Sequence, residues 1–375
     1  MKINLDNVIE NESEREYYTK LYHEIKKFID QNNEITFQQI VKTLGGSDRR
    51  VLRLLNEMKK GNEFILSNKK ILSKVANGKS IFNKILCDSC DGKIFPMKGK
   101  LLEVKKIMDE IILKKPTPTF IYDQRPVNSE TTVRRVAYLL WRNDLIDKEI
   151  LILGDDDLTS LAIGLMGGAK KIIVLDIDER LINFINFIAK EKRLSIEGIV
   201  CDFTKGIPKN LENSFDVFLT DPSPIPECFS IFISLGIKLL KRRDGMVGYV
   251  SFFPSHQEIS IDFQKIMTDK NLIITDIIPR FTEYDFLEST YGEIDKNLLK
   301  NFDSGESKIS FFENITRFIT TKETFKNQNQ NIVMKIPLSK AMKRIIEDPS
   351  KDPAFMNGEK EFVLEKIKEF KENGV

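Results

Sequence analysis

The chain has 375 residues, of which 41% are hydrophobic and 30% are charged, which is enough apolar material for about two or three domains with buried cores. The 58 basic and 56 acidic residues give a net charge of +2, so the basic excess of a dedicated nucleic-acid-binding protein is absent. Two histidines and four cysteines argue against a multi-histidine metal site, a Ser-His-Asp hydrolase and a disulfide framework. The N-terminus is polar and no apolar run is long enough for a membrane span, so we expect a cytoplasmic protein without a metal site.

Residues 1–80 are predicted to form a winged-helix-like domain. Apolar residues at helical spacing indicate three helices, and two short apolar stretches around a turn indicate a hairpin. These elements are predicted at 14–31, 37–44, 48–60, 64–66 and 71–72. Arg49, Arg50 and Arg53 on the third helix would contact DNA if the domain bound a duplex. Because the net charge is close to zero, we instead expect a domain that packs against the rest of the chain or forms a homodimer.

Residues 81–147 are predicted to connect this domain to the next one. Cys87 and Cys90 form a Cys-x-x-Cys pair, which supplies half of the four ligands of a structural zinc site. A reduced pair at a domain junction is the favoured interpretation, and a tetrathiolate site shared by two chains is the alternative. The segment continues with a helix, a proline-rich bend, a loop at 122–126 and a helix at 129–142.

Strand and helix patterns alternate from 148 to 320 and predict a Rossmann-like, doubly wound α/β domain. Strands are predicted at 150–154, 171–175, 215–220, 246–252 and 272–278, and a further strand, the third in chain order, is predicted to end near 201–202. Helices are predicted at 158–166, 179–193 and 229–241. Sheets of this kind bind ligands at the carboxyl ends of their strands. Residues 321–375 are predicted to be a partly helical tail with a helix at 358–372.

Acidic residues close three successive predicted strands. Asp155, Asp156 and Asp157 follow the first strand, Asp176 the second and Asp202 the third. A carboxylate after the second strand suits the hydroxyl groups of a ribose, and one after the third strand suits the amino group of an adenine. Each of the last two aspartates, taken alone, is equally compatible with helix capping. Together with the first loop, they predict a nucleoside site.

The first loop is unusual for such a fold. It is glycine-rich in most nucleotide-binding and methyltransferase folds, but here Gly154 is followed by three aspartates. At about 4 Å and an effective dielectric constant near 20, each aspartate would repel a ligand carboxylate by roughly 4 kcal/mol. The predicted ligand is therefore decarboxylated S-adenosylmethionine, which lacks the carboxylate and ends in an amine. Its predicted partner is a polycation, drawn by Asp155–Asp157 and Asp221, with Asp123 and Glu258 as further candidates.

Four motifs of the chain resemble the branched-chain polyamine synthase family. They lie at 154–157, 174–180, 220–222 and 274–278, and the three-aspartate loop is the most specific of them. The members of this family are N(4)-bis(aminopropyl)spermidine synthases, which are aminopropyltransferases with an N-terminal winged-helix-like domain. The chain departs from the family pattern at 221–227 and 282–287, and both stretches are expected to line the acceptor pocket.

The resemblance implies transfer of an aminopropyl group from decarboxylated S-adenosylmethionine, a co-substrate, to the secondary amine of spermidine, with methylthioadenosine as the leaving group. A carboxylate beside the attacking nitrogen would take its proton, and Asp156 is predicted for that role with Asp221 as the alternative. Asp157 is predicted to hold the donor's ammonium group and Asp155 to help fix the loop. The donor site is predicted to comprise Gly154, Asp155, Asp157, Asp176 and Asp202.

Two other functions stay open at this point. The first is a methyltransferase that uses S-adenosylmethionine to modify an amino group, which the Asp221-Pro222 pair also fits. The second is a transcription regulator that combines a DNA-binding winged helix with an α/β sensor domain.

Overall fold

The computed structural model of the chain describes residues 3–9, 12–32, 34–44, 48–75, 87, 90, 93–125, 127–252, 257–285, 293–302, 309–326 and 337–372. These residues fall into two compact units. The first comprises Met1–Ile94 with Glu283–Phe312, and the second comprises Phe95–Thr282 with Glu313–Val375.

The first unit contains the three helices predicted from the sequence and a small antiparallel sheet. The helices are α1 (Arg15–Gln31), α2 (Phe37–Leu44) and α3 (Asp48–Lys60), and the strands described in this unit's sheet are β1 (Glu34–Thr36), β2 (Ile65–Ser67) and β3 (Lys70–Leu72). β3 lies between the other two. Asn68 and Lys69 connect β2 to β3 with φ of 48° and 62°, as in the tight turns that match the twist of a hairpin. The sequence did not predict β1, and the winged-helix assignment stays a prediction.

The helix Glu293–Phe302 also belongs to the first unit, although the sequence analysis placed it in the range 148–320. It packs on α3. Phe302 is buried in the core of this unit, and its ring centroid lies 6.3 Å from that of Phe64. Apolar contact, rather than position in the chain, decides which unit this helix joins.

The second unit is built on a larger sheet. Its strands are β4 (Glu149–Leu153), β5 (Lys171–Asp176), β6 (Ile196–Val200), β7 (Val217–Thr220), β8 (Val247–Phe252), β9 (Ile273–Asp285) and β10 (Ile309–Ile319). In the part of the chain that the structure describes, these seven strands have the order β6-β5-β4-β7-β8-β10-β9. The first five strands in this order are parallel, and β10 is antiparallel to β8. The Rossmann-like α/β class predicted from the sequence is confirmed.

Two features of this sheet differ from the prediction. The sixth predicted strand is longer than expected and becomes β9, and β10 was not predicted at all. β10 carries Glu313 and Arg317, and both side chains are buried. Because these charges interrupt the apolar run that marks a buried strand, the sequence pattern concealed β10.

Helices cover both faces of the sheet. They are α4 (Lys100–Ile112), α5 (Ser129–Trp141), α6 (Thr159–Met166), α7 (Glu179–Lys192), α8 (Pro226–Leu239) and α9 (Gln257–Asp269). Ile150 and Ile152 of β4 pack into the same cluster as residues of α4–α7. Leu151 and Leu153 pack into the opposite cluster with residues of α8 and α9. Burial on both faces explains why β4 is apolar from Ile150 to Leu153.

With the helix Glu293–Phe302 counted as α10, the remaining described helices are α11 (Lys340–Glu347), α12 (Pro353–Met356) and α13 (Lys360–Glu372). The last of these corresponds to the helix predicted at 358–372. Asp352 is fully buried and accepts hydrogen bonds from the Thr119 hydroxyl and the Phe120 N–H, both at 2.8 Å. The predicted tail is therefore packed into the second unit. Within the described residues, no helix combines the length and apolarity that crossing a bilayer requires.

Gly248 offers a test of how tightly this sheet is packed. It pairs with Phe318 across β8 and β10, and a Cβ at this position would overlap the Phe318 ring. We expect Gly248→Ala to lower the free energy of unfolding by about 1–3 kcal/mol, because overpacking a filled core forces its neighbours to shift. Urea denaturation measures the loss. Adding Phe318→Leu should recover part of it, and an unchanged midpoint for Gly248→Ala would contradict the packing described.

Candidate active site

The parallel register brings three predicted site residues to one edge of the sheet. Leu153, the last residue of β4, pairs with Leu175 on β5 and with Thr220 on β7. The residues that follow them in the chain are Gly154, Asp176 and Asp221. This edge is the carboxyl end of the strands, at the point where the strand order reverses, which is where open α/β sheets bind ligands.

The loop after β4 turns sharply at Gly154. Its φ is +73°, and a Cβ added there would meet nothing within 4 Å. Backbone conformation, rather than lack of space, therefore favours glycine at this position. The loop passes through Asp155, Asp156 and Asp157 and enters α6 at Thr159.

Asp155 supports the loop from inside. Its side chain is fully buried and accepts hydrogen bonds from the Ser160 hydroxyl and, at 3.3 Å, from the Ser160 N–H. Burial raises the pKa of Asp155 to about 7. This geometry supports the loop-fixing role expected from the sequence, and it leaves the side chain without exposed surface for a ligand.

Asp176 is buried beside Asp155. Its carboxylate oxygens accept hydrogen bonds from the Asp155 N–H at 2.9 Å and the Asp178 N–H at 2.8 Å. Burial raises its pKa to about 7. Since each carboxylate oxygen has a second lone pair, hydroxyl groups of a ribose could still bind there.

Asp157 and Asp221 meet at a residue that the sequence analysis missed. Arg135 of α5 forms an ion pair with Asp157 through Nη1 and lies 2.6 Å from Asp221 through Nη2. Asp157 is predicted to hold the donor's ammonium, and Asp221 is the alternative base. These two carboxylates therefore share one buried guanidinium. One signal was available in the sequence: two arginines, Arg134 and Arg135, interrupt the apolar residues of this helix, and an arginine that is buried there needs acidic partners.

Asp156 differs from its two neighbours because it is half-buried. It accepts a hydrogen bond at 3.0 Å from the Arg125 N–H, and the Lys115 ammonium donates to its backbone carbonyl. Burial raises the pKa of Asp156 to about 6, with the charge of Lys115 opposing and that of Asp221 adding to the shift. A partly exposed carboxylate with such a pKa can accept a proton near neutral pH.

The loop that carries Arg125 also carries Asp123. Gln124 accepts a hydrogen bond from the Thr119 N–H at 2.9 Å and donates one to Asp178 at 3.0 Å, which ties the loop to the end of β5. Asp123 is half-buried, and burial raises its pKa against the opposing charge of Arg125. The structure thus brings Asp123, Asp156 and Asp176 to the same region.

Asp202 and Glu258 are the last two predicted site residues. Asp202 caps the short helix Phe203–Lys205 and accepts from the Thr204 N–H at 2.9 Å. Burial acts to raise the pKa of Asp202, but hydrogen bonds from Thr204 and Lys205 lower it. Glu258 lies in the first turn of α9, and its side chain is outside the part that the structure describes.

Among the described residues, two shallow clefts lie at this edge of the sheet. The first is partly open to solvent, and its lining includes Arg135, Gly154, Asp157 and Asp221. The second is mostly apolar, and its lining includes Pro222, Pro224, Pro226, Phe229, Phe252 and Phe263. A charged cleft beside an apolar one suits a ligand that alternates charged nitrogens with methylene chains.

The raised pKa of Asp155 predicts how stability depends on pH. In the unfolded chain this carboxyl ionises near its ordinary value of 3.8, whereas in the folded protein its pKa is about 7. Its contribution to stability is therefore complete below pH ~4 and is lost as the pH rises through ~7. We expect Asp155→Asn, which cannot ionise, to flatten this part of the curve of thermal midpoint against pH.

Asp202→Asn provides the control for this experiment. The pKa of Asp202 is lowered, so its contribution is present above the unfolded pKa and lost on acidification, which is the opposite dependence. Asp156 and Asp176 contribute in the same direction as Asp155 and should leave a residual slope in the variant. A slope for Asp155→Asn equal to that of the unaltered chain would contradict the burial described.

Comparison with known proteins bears on what this site does. An N(4)-bis(aminopropyl)spermidine synthase from Methanocaldococcus jannaschii is 39% identical over 235 residues, which are 60% of this chain and 62% of that protein. A synthase of the same name from Thermococcus kodakarensis is 41% identical over 206 residues, which are 53% of this chain and 57% of that protein. The matched region thus spans about three fifths of the length of these relatives.

A solved structure supports the fold. The branched-chain polyamine synthase from Thermus thermophilus, crystallised with N4-aminopropylspermidine and 5′-methylthioadenosine, superposes with a TM-score of 0.68 at 21% identity. The alignment covers 88% of this chain and 98% of that one. The family model for the branched-chain polyamine synthase A C-terminal domain matches residues 103–352, which is most of the chain. The family predicted from the four motifs is therefore confirmed, and the chain belongs to the branched-chain polyamine synthase A family.

Proposed function

We propose that the chain transfers aminopropyl groups from decarboxylated S-adenosylmethionine to the secondary amine of spermidine, giving N(4)-bis(aminopropyl)spermidine and methylthioadenosine. Membership in the family and the names of the two relatives support this chemistry. The related Thermus thermophilus structure contains N4-aminopropylspermidine and 5′-methylthioadenosine, which are the two molecules that one such transfer would form. The structural observation that carries the proposal is Asp156, a half-buried carboxylate at the carboxyl end of β4 with a pKa of about 6.

The reaction is an in-line displacement at carbon. The lone pair of the acceptor nitrogen attacks the carbon next to the sulfonium, the carbon–sulfur bond breaks, and neutral methylthioadenosine leaves with the bonding electrons. The sulfonium is already a good leaving group, so the protein must orient the substrates and present an unprotonated amine. In the first transfer, the proton of the secondary amine passes to Asp156. The second transfer starts from a tertiary amine and forms a quaternary ammonium without proton loss.

The remaining carboxylates serve binding in this proposal. Asp176 faces the ribose and Asp202 the adenine, while Asp157 receives the donor's ammonium. Because Asp157 already pairs with Arg135, it shares its charge between the guanidinium and the ligand. Asp221, Asp123 and Glu258 attract the acceptor, and the apolar cleft around Pro222 and Pro224 accommodates its methylene groups.

We also keep three proposals from the sequence: a homodimer, a cytoplasmic location and no binding of duplex DNA. The contacts of α3 support the last of these. Arg50 of α3 lies 3.2 Å from Glu14, and its guanidinium carbon lies 5.1 Å from the centre of the Tyr17 ring. α10 packs on the same helix. A recognition helix needs an open face and available cations to enter a major groove. The contacts of Arg50 and the packing of α10 on α3 therefore favour a role in packing for this helix.

Donor preference tests the electrostatic part of the proposal. We expect the chain to bind decarboxylated S-adenosylmethionine at least about ten-fold more tightly than S-adenosylmethionine, a difference of about 1.4 kcal/mol, because the charge of Asp156 disfavours a ligand carboxylate. Isothermal titration calorimetry with the two donors measures the ratio. Equal affinities would remove the charge argument, and methyl transfer from S-adenosylmethionine would favour the methyltransferase alternative.

The role of Asp156 is tested by an isosteric substitution. We expect Asp156→Asn to lower turnover by roughly 10²–10⁴-fold, because asparagine cannot take the proton. The turnover of the unaltered chain should rise with pH as Asp156 ionises near pH 6, and the variant should lack this rise. Mass spectrometry of the products from decarboxylated S-adenosylmethionine and spermidine provides the rate.

Asp244→Asn is a matched control because Asp244 is exposed and precedes β8, at the amino end of that strand. Its rate should equal that of the unaltered chain. If Asp156→Asn keeps near-normal turnover and an unchanged pH profile, Asp156 is not the base and Asp221 takes its place in the proposal.

A further inference from the structure

Arg135 connects more of the site than any one predicted residue. Its side chain is buried on α5. Nη1 meets Asp157 and, at 3.2 Å, the Thr159 hydroxyl. Nη2 lies 2.6 Å from Asp221 and within 3.4 Å of two further hydroxyls. Those hydroxyls belong to Ser251 and Thr282. One guanidinium therefore joins the loop after β4, the loop after β7, and strands β8 and β9.

The two carboxylates that Arg135 holds line the same cleft as the guanidinium itself. Without a cation between them, Asp157 and Asp221 would repel each other, because two like charges in a partly buried site are poorly screened by water. A planar guanidinium donates from two nitrogens in fixed directions, so it constrains both carboxylates more strictly than an ammonium on a flexible stem would. Arg135 therefore holds two acidic residues of the cleft wall in a defined orientation.

We propose that Arg135 is a positioning residue for the transfer reaction, which sets the orientation of Asp157 and Asp221 and the protonation of Asp156. The expected effects on turnover rest on the proposed function, whereas the expected effect on the titration of Asp156 does not. Arg135 itself does not exchange a proton or form a bond with either substrate. It acts through the carboxylates of Asp156, Asp157 and Asp221, because its positive charge reduces the repulsion among them.

The surroundings of Asp156 explain this effect. The charge of Asp221 raises the pKa of Asp156, and the charge of Arg135 lowers it. The charged and titratable groups that face or adjoin Asp156 are Lys115, Arg125, Arg135, Asp155, Asp157, Asp176 and Asp221. Removing the guanidinium leaves two aspartates uncompensated. The loss of the Arg135 charge raises the pKa of Asp156, so the proposed base would hold its proton to a higher pH.

Two substitutions separate charge from geometry. Arg135→Gln removes the charge, and we expect the acid limb of the pH–turnover profile to move upward by about half a pH unit or more. Arg135→Lys keeps the charge but replaces the two nitrogens that bridge Asp157 and Asp221 with a single one. For this variant we expect an acid limb close to that of the unaltered chain, with kcat lower by roughly 10–100-fold.

Arg134→Lys is the matched control. Arg134 is the preceding residue of α5, is 3% exposed against 5% for Arg135, and pairs with Glu130 and the Phe95 carbonyl instead of site carboxylates. Any loss that comes only from disturbing a buried arginine of this helix should appear equally in this control. A further variant, Asp221→Asn, should move the acid limb downward, opposite to Arg135→Gln.

A measurement made without substrates tests this inference separately from the proposed function. The titration of Asp156 can be followed by ¹³C NMR of aspartate carboxyl carbons, assigned with Asp156→Asn. We expect a higher midpoint in Arg135→Gln and an unchanged one in Arg134→Lys. Equal midpoints in all three proteins would overturn the inference even if the chain transfers aminopropyl groups. If Arg135→Gln does not fold, Arg135→Lys decides, because kcat and KM equal to those of the unaltered chain would overturn the inference.

Discussion

The parallel pairing of β4 with β5 and β7 is the constraint on which the site depends. Because Leu153 pairs with both Leu175 and Thr220, the three chain segments leave the sheet at one level. A shift of one residue in β4 would exchange its two buried faces, since successive side chains point to opposite sides of a strand. The two apolar clusters on either side of β4 therefore fix the register, and through it the position of the acidic loop.

The acidic loop carries less negative charge than its composition suggests. Three adjacent aspartates in water would each ionise near their ordinary pKa. In the folded protein, burial raises the pKa of Asp155 to about 7, and Asp157 forms an ion pair with Arg135. Asp156 is the half-buried member of the three. The same residue type thus has three different environments, and these environments separate a structural carboxylate, a paired one and a candidate base.

Local sequence patterns predicted the parallel strands and the ligand-binding edge of the sheet. The apolar runs of β4, β5 and β7 predicted the parallel sheet, and the aspartates after those strands predicted its ligand-binding edge. Arg135 was missed because its partners follow it by more than twenty positions and belong to different loops, so only the tertiary fold brings them together. β10 was missed because buried charges on it have distant partners, such as Asp144 for Arg317 at 2.7 Å. Sequence periodicity cannot reveal a charge that is paired across the fold.

The buried Asp352 has a consequence for how the site is assembled during synthesis. Its hydrogen bonds to Thr119 and Phe120 join residues that are 233 and 232 positions apart in the chain. The loop at 119–125, which carries Asp123 and Arg125, gains these two bonds only after residue 352 has been made. The parallel strands β4–β8, in contrast, are complete by Phe252. A growing chain can therefore form these five strands before this loop receives the two hydrogen bonds from Asp352.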